Sequence, residues 1–321
     1  RFRYSTLNMT AKLENIINAY QTLAKIPSVL GGKLIKNGTK IISRWSVRNL
    51  DKGKFTKYQY NYVLNNSFNV IAESEFGIDT SNELLSAISP QESYKAVIRE
   101  EKESKDSKKQ YLEVWQKNNL IHSVNLTALD IHGDVYADGE FGSLDWSHDE
   151  SSIVYVAERK PPQSEPYIKR KSEDKPKLNG SDETAPTKGE EYVYRQDWGE
   201  QLVGKYMSVI VVFKLETEKC TILEGLPEDW CPGQVRFSPD GGSVVGVAWC
   251  VEPRRLGLIF CTNRPSYIFS LTLDGAMKKL SGEGVGSAVP ASAGGPGGVA
   301  AARGRRAAPR GPRPRLSQER P

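Results

Sequence analysis

Histidine and cysteine are scarce in this 321-residue chain, with three His and four Cys. His122, His132 and His148 lie on separate segments and show no metal-ligand spacing. His122 falls in a strand pattern and the other two in turns, so all three read as satisfied or exposed histidines rather than ligands. Cys220, Cys231, Cys250 and Cys261 are spaced by eleven, nineteen and eleven residues, with no Cys-x-x-Cys pair. That excludes the usual zinc and dithiol spacings and leaves reduced thiols as the reading. No Gly-x-Ser-x-Gly elbow, phosphate loop or Rossmann glycine pattern occurs, so neither a serine nucleophile nor a nucleotide site is indicated. The acidic run Asp134 to Glu140 lacks the twelve-residue calcium loop and reads as a surface turn. No apolar run approaches the roughly 18 residues of a membrane span; the longest, Ser208 to Phe213, is strand-sized. The chain opens Arg1-Phe2-Arg3-Tyr4-Ser5 without Met or an apolar signal region, so its true start is expected upstream. Five Asn-x-Ser/Thr triplets, beginning at Asn8, Asn37, Asn65, Asn125 and Asn179, read as chance without a secretory signal. No catalytic, cofactor-binding or metal-ligating residue is assigned.

What remains is ordinary for a soluble globular protein: 38% hydrophobic and 26% charged residues, in a chain long enough to bury a sizeable core. The net charge of +5 is distributed unevenly. Residues 282–321 contain seven Arg, no Lys and two Glu, and the preceding 281 residues are neutral with 37 groups of each sign. The basic character belongs to the tail and gives no reason to assign nucleic-acid binding to the folded part.

One helix is expected, over residues 10–25. There Leu13, Ile16, Ile17, Tyr20 and Leu23 make one apolar stripe at the i, i+3, i+4, i+7 spacing, and Pro27 ends it. The stripe must dock on something, either its own domain or a second domain or subunit. From Trp45 the pattern turns to strands. Tyr58 to Leu64, then Asn65-Asn66, then Phe68 to Ile71 reads as a hairpin whose Asn residues tolerate positive φ.

A two-part unit then recurs. Its first half is apolar-Ser-x-Asp followed by an apolar strand: Trp146-Ser147-His148-Asp149 before Ile153 to Val156, and Phe237-Ser238-Pro239-Asp240 before Val244 to Val247. A degenerate copy is Ile88-Ser89-Pro90-Gln91 before Ala96 to Ile98. Its second half is strand, polar turn, strand: Leu112 to Val124, Val211 to Leu223, and Ile268 to Leu280. Four short strands every 40–50 residues or so are the pattern of β-propeller blades, with β-sandwich hairpins as the alternative. The Ser and Asp suit a tight turn through side-chain bonds to backbone N–H groups. Read this way, the chain is all-β: a helical segment over 1–30 and a partial β-propeller over 31–281.

Three stretches stand apart. Residues 159–191 are charged, Pro-rich and poor in large apolar groups, and are expected to be a disordered surface insertion in the middle unit. Residues 99–109 form a shorter polar loop of mixed charge. Residues 282–321 are Gly, Ala, Pro and Arg without an aromatic residue, and disorder is expected there too. The body has 25 Lys to 12 Arg and the tail only Arg. From that break the tail is expected to be a product of alternative splicing, a frame change or a gene-model error rather than domain sequence.

Several runs in fixed order carry a resemblance. Tyr192-Val193-Tyr194 with Asp197-Trp198-Gly199-Glu200, Leu223 to Glu228, Pro232-Gly233-Gln234, and Glu252-Pro253 through Arg264 resemble the acylamino-acid-releasing enzymes of the prolyl oligopeptidase group. Tyr111 to Trp115 and Phe141 to Glu158 resemble earlier blades of the same family. The resemblance spans about residues 10 to 280 and is absent from the tail. It implies an N-terminal helix and propeller joined to a C-terminal α/β-hydrolase domain with a Ser–Asp–His triad. Such a cytoplasmic enzyme releases N-acylated, typically acetylated, residues from short peptides. Its propeller restricts access, and its helix packs toward the hydrolase domain. This chain would hold the helix and about half the propeller, and no catalytic residue carries over. The implied partners are the hydrolase domain, homo-oligomer subunits and short N-acylated peptides, with no cofactor, membrane or specific nucleic acid. An incomplete ring is expected to be marginally stable and inactive alone. A free-standing propeller scaffold for protein partners is the alternative, and RNA binding by the Arg tail a third reading.

Overall fold

The structure, a computed structural model, describes residues 2–103, 107–161, 164–165, 187–189, 192–251, 255, 257–258 and 264–281. Helix α1 spans Phe2–Ala24, eight residues further toward the N-terminus than the periodicity indicated. Its final turn closes through Lys25 N–H to Thr22 O and Ile26 N–H to Leu23 O, just before Pro27. The stripe does not pack on its own domain: Leu13, Ile16 and Tyr20 are each more than half exposed.

Four antiparallel sheets follow in chain order. The first holds β1 (Ser28–Ile35), β2 (Lys40–Asn49), β3 (Lys54–Leu64), β4 (Val70–Glu73) and β5 (Ile78–Asp79), with β4 and β5 both paired to β3. It begins well ahead of Trp45. The β3–β4 hairpin lies where expected, but its positive φ (+60°) falls on Phe68. Asn65 serves instead as a side-chain cap, its Oδ1 accepting the N–H groups of Ser67 (3.0 Å) and Asn69 (2.9 Å).

The second sheet is β6 (Glu83–Ile88), β7 (Lys95–Lys102), β8 (Lys108–Gln116) and β9 (Asn119–Asn125), a simple meander. β7 and β8 extend into the charged run over 99–109, leaving only 103–107 between them; 104–106 lie outside the described residues. A one-turn helix, α2 (Leu126–Leu129), follows, with Asn125 Oδ1 accepting Ala128 N–H at 2.9 Å. The third sheet is β10 (Leu144–Trp146), β11 (Ser152–Glu158), β14 (Ser208–Lys214) and β15 (Lys219–Leu223). Between β11 and β14 the chain makes a long excursion containing the parallel pair β12 (Ser164–Glu165) and β13 (Thr187–Lys188). The insertion expected over 159–191 therefore carries a two-residue ladder, which its composition did not indicate; most of it lies outside the described residues. The fourth sheet is β16 (Trp230–Phe237), β17 (Ser243–Cys250), β18 (Ser266–Thr272) and β19 (Met277–Lys279). The stretch 282–321 also lies outside the described residues, as does Cys261.

The recurring Ser unit is one structural device used three times. Ser89, Ser147 and Ser238 each pair their N–H with the carbonyl five residues on, at 2.9 Å in every copy. Each hydroxyl accepts the N–H of that same residue: Tyr94 at 2.9 Å, Ser152 at 2.9 Å and Ser243 at 3.2 Å. Asp149 and Asp240 brace their turns through Ser151 N–H (3.2 Å) and Gly242 N–H (3.1 Å). The fourth turn residue is left-handed in all three copies: Glu92, Glu150 and Gly241, at φ +59°, +60° and +72°. In two copies that residue reaches the neighbouring sheet. Glu92 Oε1 accepts Lys36 N–H at 2.6 Å and Glu150 Oε1 accepts Gln91 N–H at 2.7 Å, chaining the first hairpins of three sheets.

The core fills the spaces between sheets. Ile98, Leu112 and Val114 of the second sheet meet Trp146, Ile153, Tyr155 and Phe213 of the third. Val154, Val156, Ile210 and Val212, on the other face of the third sheet, meet Val235, Val244, Phe269 and Leu271 of the fourth. The third sheet is thus buried on both faces, which accounts for its unbroken runs Ile153 to Ala157 and Val209 to Phe213. First strands β6, β10 and β16 lie side by side along the inner edge of the stack. This is an unclosed propeller of antiparallel blades preceded by one helix.

Candidate functional site at the long-connection rim

In an antiparallel meander the first and third turns share one rim, and the second turn and the inter-sheet connection share the other. The Ser turns occupy the first rim. The opposite rim carries the long connections 126–143, 159–207 and 251–265. Apart from the two-residue β12–β13 ladder and the Val135–Ala157 bridge, the described parts of these long segments are held by their own side chains.

The anchor is a group of aromatic residues. Tyr136, Phe141 and Trp198 are fully buried and touch in sequence, with centroids 5.0 Å apart for the first pair and 5.7 Å for the second. The run Tyr192 to Glu200 is irregular backbone ending in the 3-10 turn Glu200–Leu202; it is held by Trp198 rather than by a sheet. Asp197 closes the loop, its Oδ1 and Oδ2 accepting Gly199 N–H (3.0 Å) and Gly204 N–H (2.8 Å). Gln196 Nε2 donates to Arg255 O at 2.7 Å, and the Arg255 guanidinium lies 5.9 Å from the Trp198 ring centre. These contacts tie the third sheet's long connection to the fourth's. Of the run Glu252 through Arg264, residues 252–254, 256 and 259–263 lie outside the described residues.

Charge is placed beneath this layer. Glu158, at the end of β11, accepts the N–H groups of Tyr206 (3.1 Å) and Met207 (3.0 Å) and the Tyr136 hydroxyl. Burial raises the Glu158 carboxyl above its ordinary value, although these donors and Lys205 pull the other way. The same burial, with Glu158 alongside, pushes the Tyr136 phenol far up. Lys205 Nζ contacts Asp138 Oδ2 at 2.5 Å and sits 4.3 Å from the Tyr136 ring centre. Asp138 Oδ1 also accepts Phe141 N–H at 2.9 Å. The segment Asp134 to Glu140 is therefore no plain surface turn, since Val135 and Tyr136 are buried and Val135 bridges to Ala157. Asp134 pairs with Lys108 and Asp138 with Lys205 and the Phe141 N–H.

A second charged set lies on the first strands. Asp145 Oδ2 accepts Phe237 N–H at 3.0 Å across the sheet boundary; burial raises its carboxyl, opposed by that donor and by Arg236. Lys33 donates to Ile88 O at 3.3 Å and feels Asp145, Glu92 and Arg236, with burial holding its ammonium below the ordinary value. Asp145 and Arg236 occupy the same position of the Ser unit, one residue before the apolar member. The repeat contains that signal, but only stacking of β10 on β16 gives it meaning.

The residues with potential for chemistry are engaged elsewhere. His132 is buried, with Nδ1 2.7 Å from Gly133 O and Nε2 2.8 Å from the Tyr155 hydroxyl, so Nδ1 donates and Nε2 accepts. Burial lowers its pKa and keeps it neutral. Tyr155 also lies 3.6 Å from the Cys220 thiol. His122 pairs with Glu218 at 2.7 Å, and His148 is exposed on its turn. Cys220, Cys231 and Cys250 are free thiols. Burial pushes Cys231 up to about 11, so it is protonated and inert at neutral pH. Among the described residues no group of His, Cys, Asp and Glu is placed to hold a metal ion. No described helix is long and apolar enough to cross a membrane. Among the described residues the rim supplies no activated nucleophile.

The family described as "Acylamino-acid-releasing enzyme, N-terminal domain" matches residues 6–285. The acylamino-acid-releasing enzyme of Mus musculus is 38% identical over 250 residues, covering 74% of this chain and 34% of that protein. Its Homo sapiens counterpart is 37% identical over 250 residues, with the same coverage. The chain thus spans about a third of the length of the curated relatives it matches. Among solved structures, the Pyrococcus horikoshii acylaminoacyl peptidase aligns with 81% of this chain and 33% of its own, at 14% identity and TM-score 0.43.

Proposed function

This chain belongs to the acylamino-acid-releasing enzyme family through its N-terminal domain, and on that premise we propose that it is the access-gating, non-catalytic portion of such a peptidase. The family match over residues 6–285 carries the reading. In the complete enzyme, a hydrolase domain beyond this portion would release N-acylated residues from short peptides in the cytoplasm. The propeller would admit short peptides and turn away folded proteins. The proposed organisation is a helical segment over 1–30, the propeller portion over 31–281 and a tail over 282–321. The long-connection rim supports this reading because its loops are fixed by buried aromatics and can present a constant surface. So does the uncovered stripe of α1, which leaves Leu13, Ile16 and Tyr20 free to meet another domain.

Two assays test the reading. The purified 321-residue chain is expected to release no acetyl-alanine from a short acetylated peptide, and release would overturn the non-catalytic assignment. The chain is also expected to capture a family hydrolase domain, with capture lost in Leu13→Glu/Tyr20→Glu. Failure to bind any hydrolase domain, with retention of other protein partners, would favour the propeller scaffold.

A further inference from the structure

An open concavity of about 710 Å³ lies on the first sheet, on the face away from the second. Its floor is aromatic: Trp45 from β2, Tyr58, Tyr60 and Tyr62 from β3, and Phe76 beyond β4. The strand register puts Trp45 opposite Tyr58, and Tyr60 meets Tyr62 edge-on at 5.2 Å. Its rim carries Glu73, Glu75 and Asp79, and no Lys or Arg lines it. Across residues 28–79 the sheet holds eight Lys and Arg against four Asp and Glu. Three of those four acids nonetheless gather at this one groove. Carboxylates beside a floor of aromatic rings form a surface suited to guanidinium groups, which stack flat on rings and bond carboxylates in pairs. The sheet already shows the stacking half of that geometry, with the Arg48 guanidinium 5.0 Å from the Phe55 ring centre.

The chain carries a segment of matching chemistry. Residues 303–320 contain seven Arg, no Lys and one Glu. They lie beyond the family match, which ends at 285. We propose that this Arg-rich segment docks in the acid-rimmed aromatic groove of the first sheet, as an intramolecular cover. Reach permits it. The 22 residues from Ser281 to Arg303 extend to roughly 75 Å and, as a Gly-rich linker, average about 25 Å end to end. A folded body of this size has a radius of gyration of roughly 19 Å. A second copy, a hydrolase domain or RNA are the other candidates for these surfaces.

The test uses the full 321-residue chain with a photo-cross-linking phenylalanine analogue in place of Leu316. Illumination is expected to join the tail to residues 56–79 within monomers, at a yield independent of protein concentration. The variant Glu73→Gln/Glu75→Gln/Asp79→Asn should lower that yield at least about fivefold, and so should raising NaCl from about 50 mM to about 500 mM. Replacing the seven Arg by Ser leaves the folded body untouched, and should abolish the cross-link even if the groove variant misfolds. Cross-links to other regions, cross-links confined to dimers, or a yield unmoved by the Arg→Ser change would each overturn the proposal. RNA carried through purification and required for the cross-link would overturn it as well.

Discussion

The first sheet and the third sheet have similar local chemistry and opposite surroundings. Both are antiparallel, both are rich in β-branched and aromatic residues, and β2–β3 is the longest uninterrupted ladder among the described residues. Yet the third sheet buries both faces, with Tyr155 and Phe213 enclosed on one and Val154 and Val156 on the other. The first leaves Val29, Leu34, Phe55, Val70 and Ile78 exposed and joins its neighbour through polar contacts, Lys33 to Ile88 O and Lys36 N–H to Glu92. Pairing alone makes a ribbon; packing between ribbons makes a core. The third sheet belongs to a continuous core, whereas the first is a ladder that a further surface can cover.

Equivalent substitutions in the two regions should therefore differ most. Phe213→Ala removes a fully buried ring and is expected to cost about 3–5 kcal/mol in denaturant melts. Phe55→Ala, at a ring 57% exposed, should stay within about 0.5 kcal/mol. Equal costs would erase the distinction. Glycines sharpen it next. Gly225 has φ +116°, and a Cβ there would collide with the Gly275 carbonyl, so Gly225→Ala should lose roughly 1–3 kcal/mol and lower the melting temperature. Gly53, in the first sheet, has φ +61° and open space around it, so Gly53→Ala should cost only about 1 kcal/mol of left-handed strain.

Smaller effects test the clasp between sheets. Glu150→Ala strands the Gln91 N–H and should cost about 1 kcal/mol of global stability. Glu92→Ala breaks the matching bond to Lys36 and should leave the unfolding midpoint almost unchanged. Hydrogen exchange of the Lys36 amide should nevertheless accelerate, since the first sheet opens locally. A fall in midpoint equal to that of Glu150→Ala would place the first sheet inside the cooperative core.

The smallest effect is a pH response confined to the buried side. His132 is held neutral, with its folded pKa below the ordinary 6.5. The unfolded chain therefore binds the extra proton first, and stability falls as pH drops from 6.5 through the folded value. His132→Gln should reduce the loss in melting temperature between about pH 7 and about pH 5.5. An unaltered slope would place the acid sensitivity elsewhere.

Much of this fold is legible in the sequence because the blades are written locally. The Ser unit sets a turn with its own hydroxyl and a left-handed fourth residue, so Ile88-Ser89-Pro90-Gln91 can be recognised even without the Asp. The all-β class and the four-strand units follow from that unit and from period-two runs. Less legible were elements fixed by distant partners. Tyr192-Val193-Tyr194 has strand composition but no ladder partner, and Trp198 holds that segment by burial. Asp134 to Glu140 looks like a solvated turn until Lys205 and Val135 are seen from the third sheet's side. α2 is a single turn held by one Asn cap, too short to give a helical period.

The amino-acid order by itself determined the turn chemistry, the strand alternation, the amphipathic stripe of α1 and the Arg-only tail, because each depends on residues a few positions apart. Only the tertiary structure decided which faces are core and which are open. It set Asp145 beside Phe237 and Arg236, Glu158 under Tyr136, and three carboxylates around the Tyr58–Tyr62 floor. Those arrangements join residues separated by tens of positions, and burial, which gives them their electrostatics, exists only once sheets have stacked.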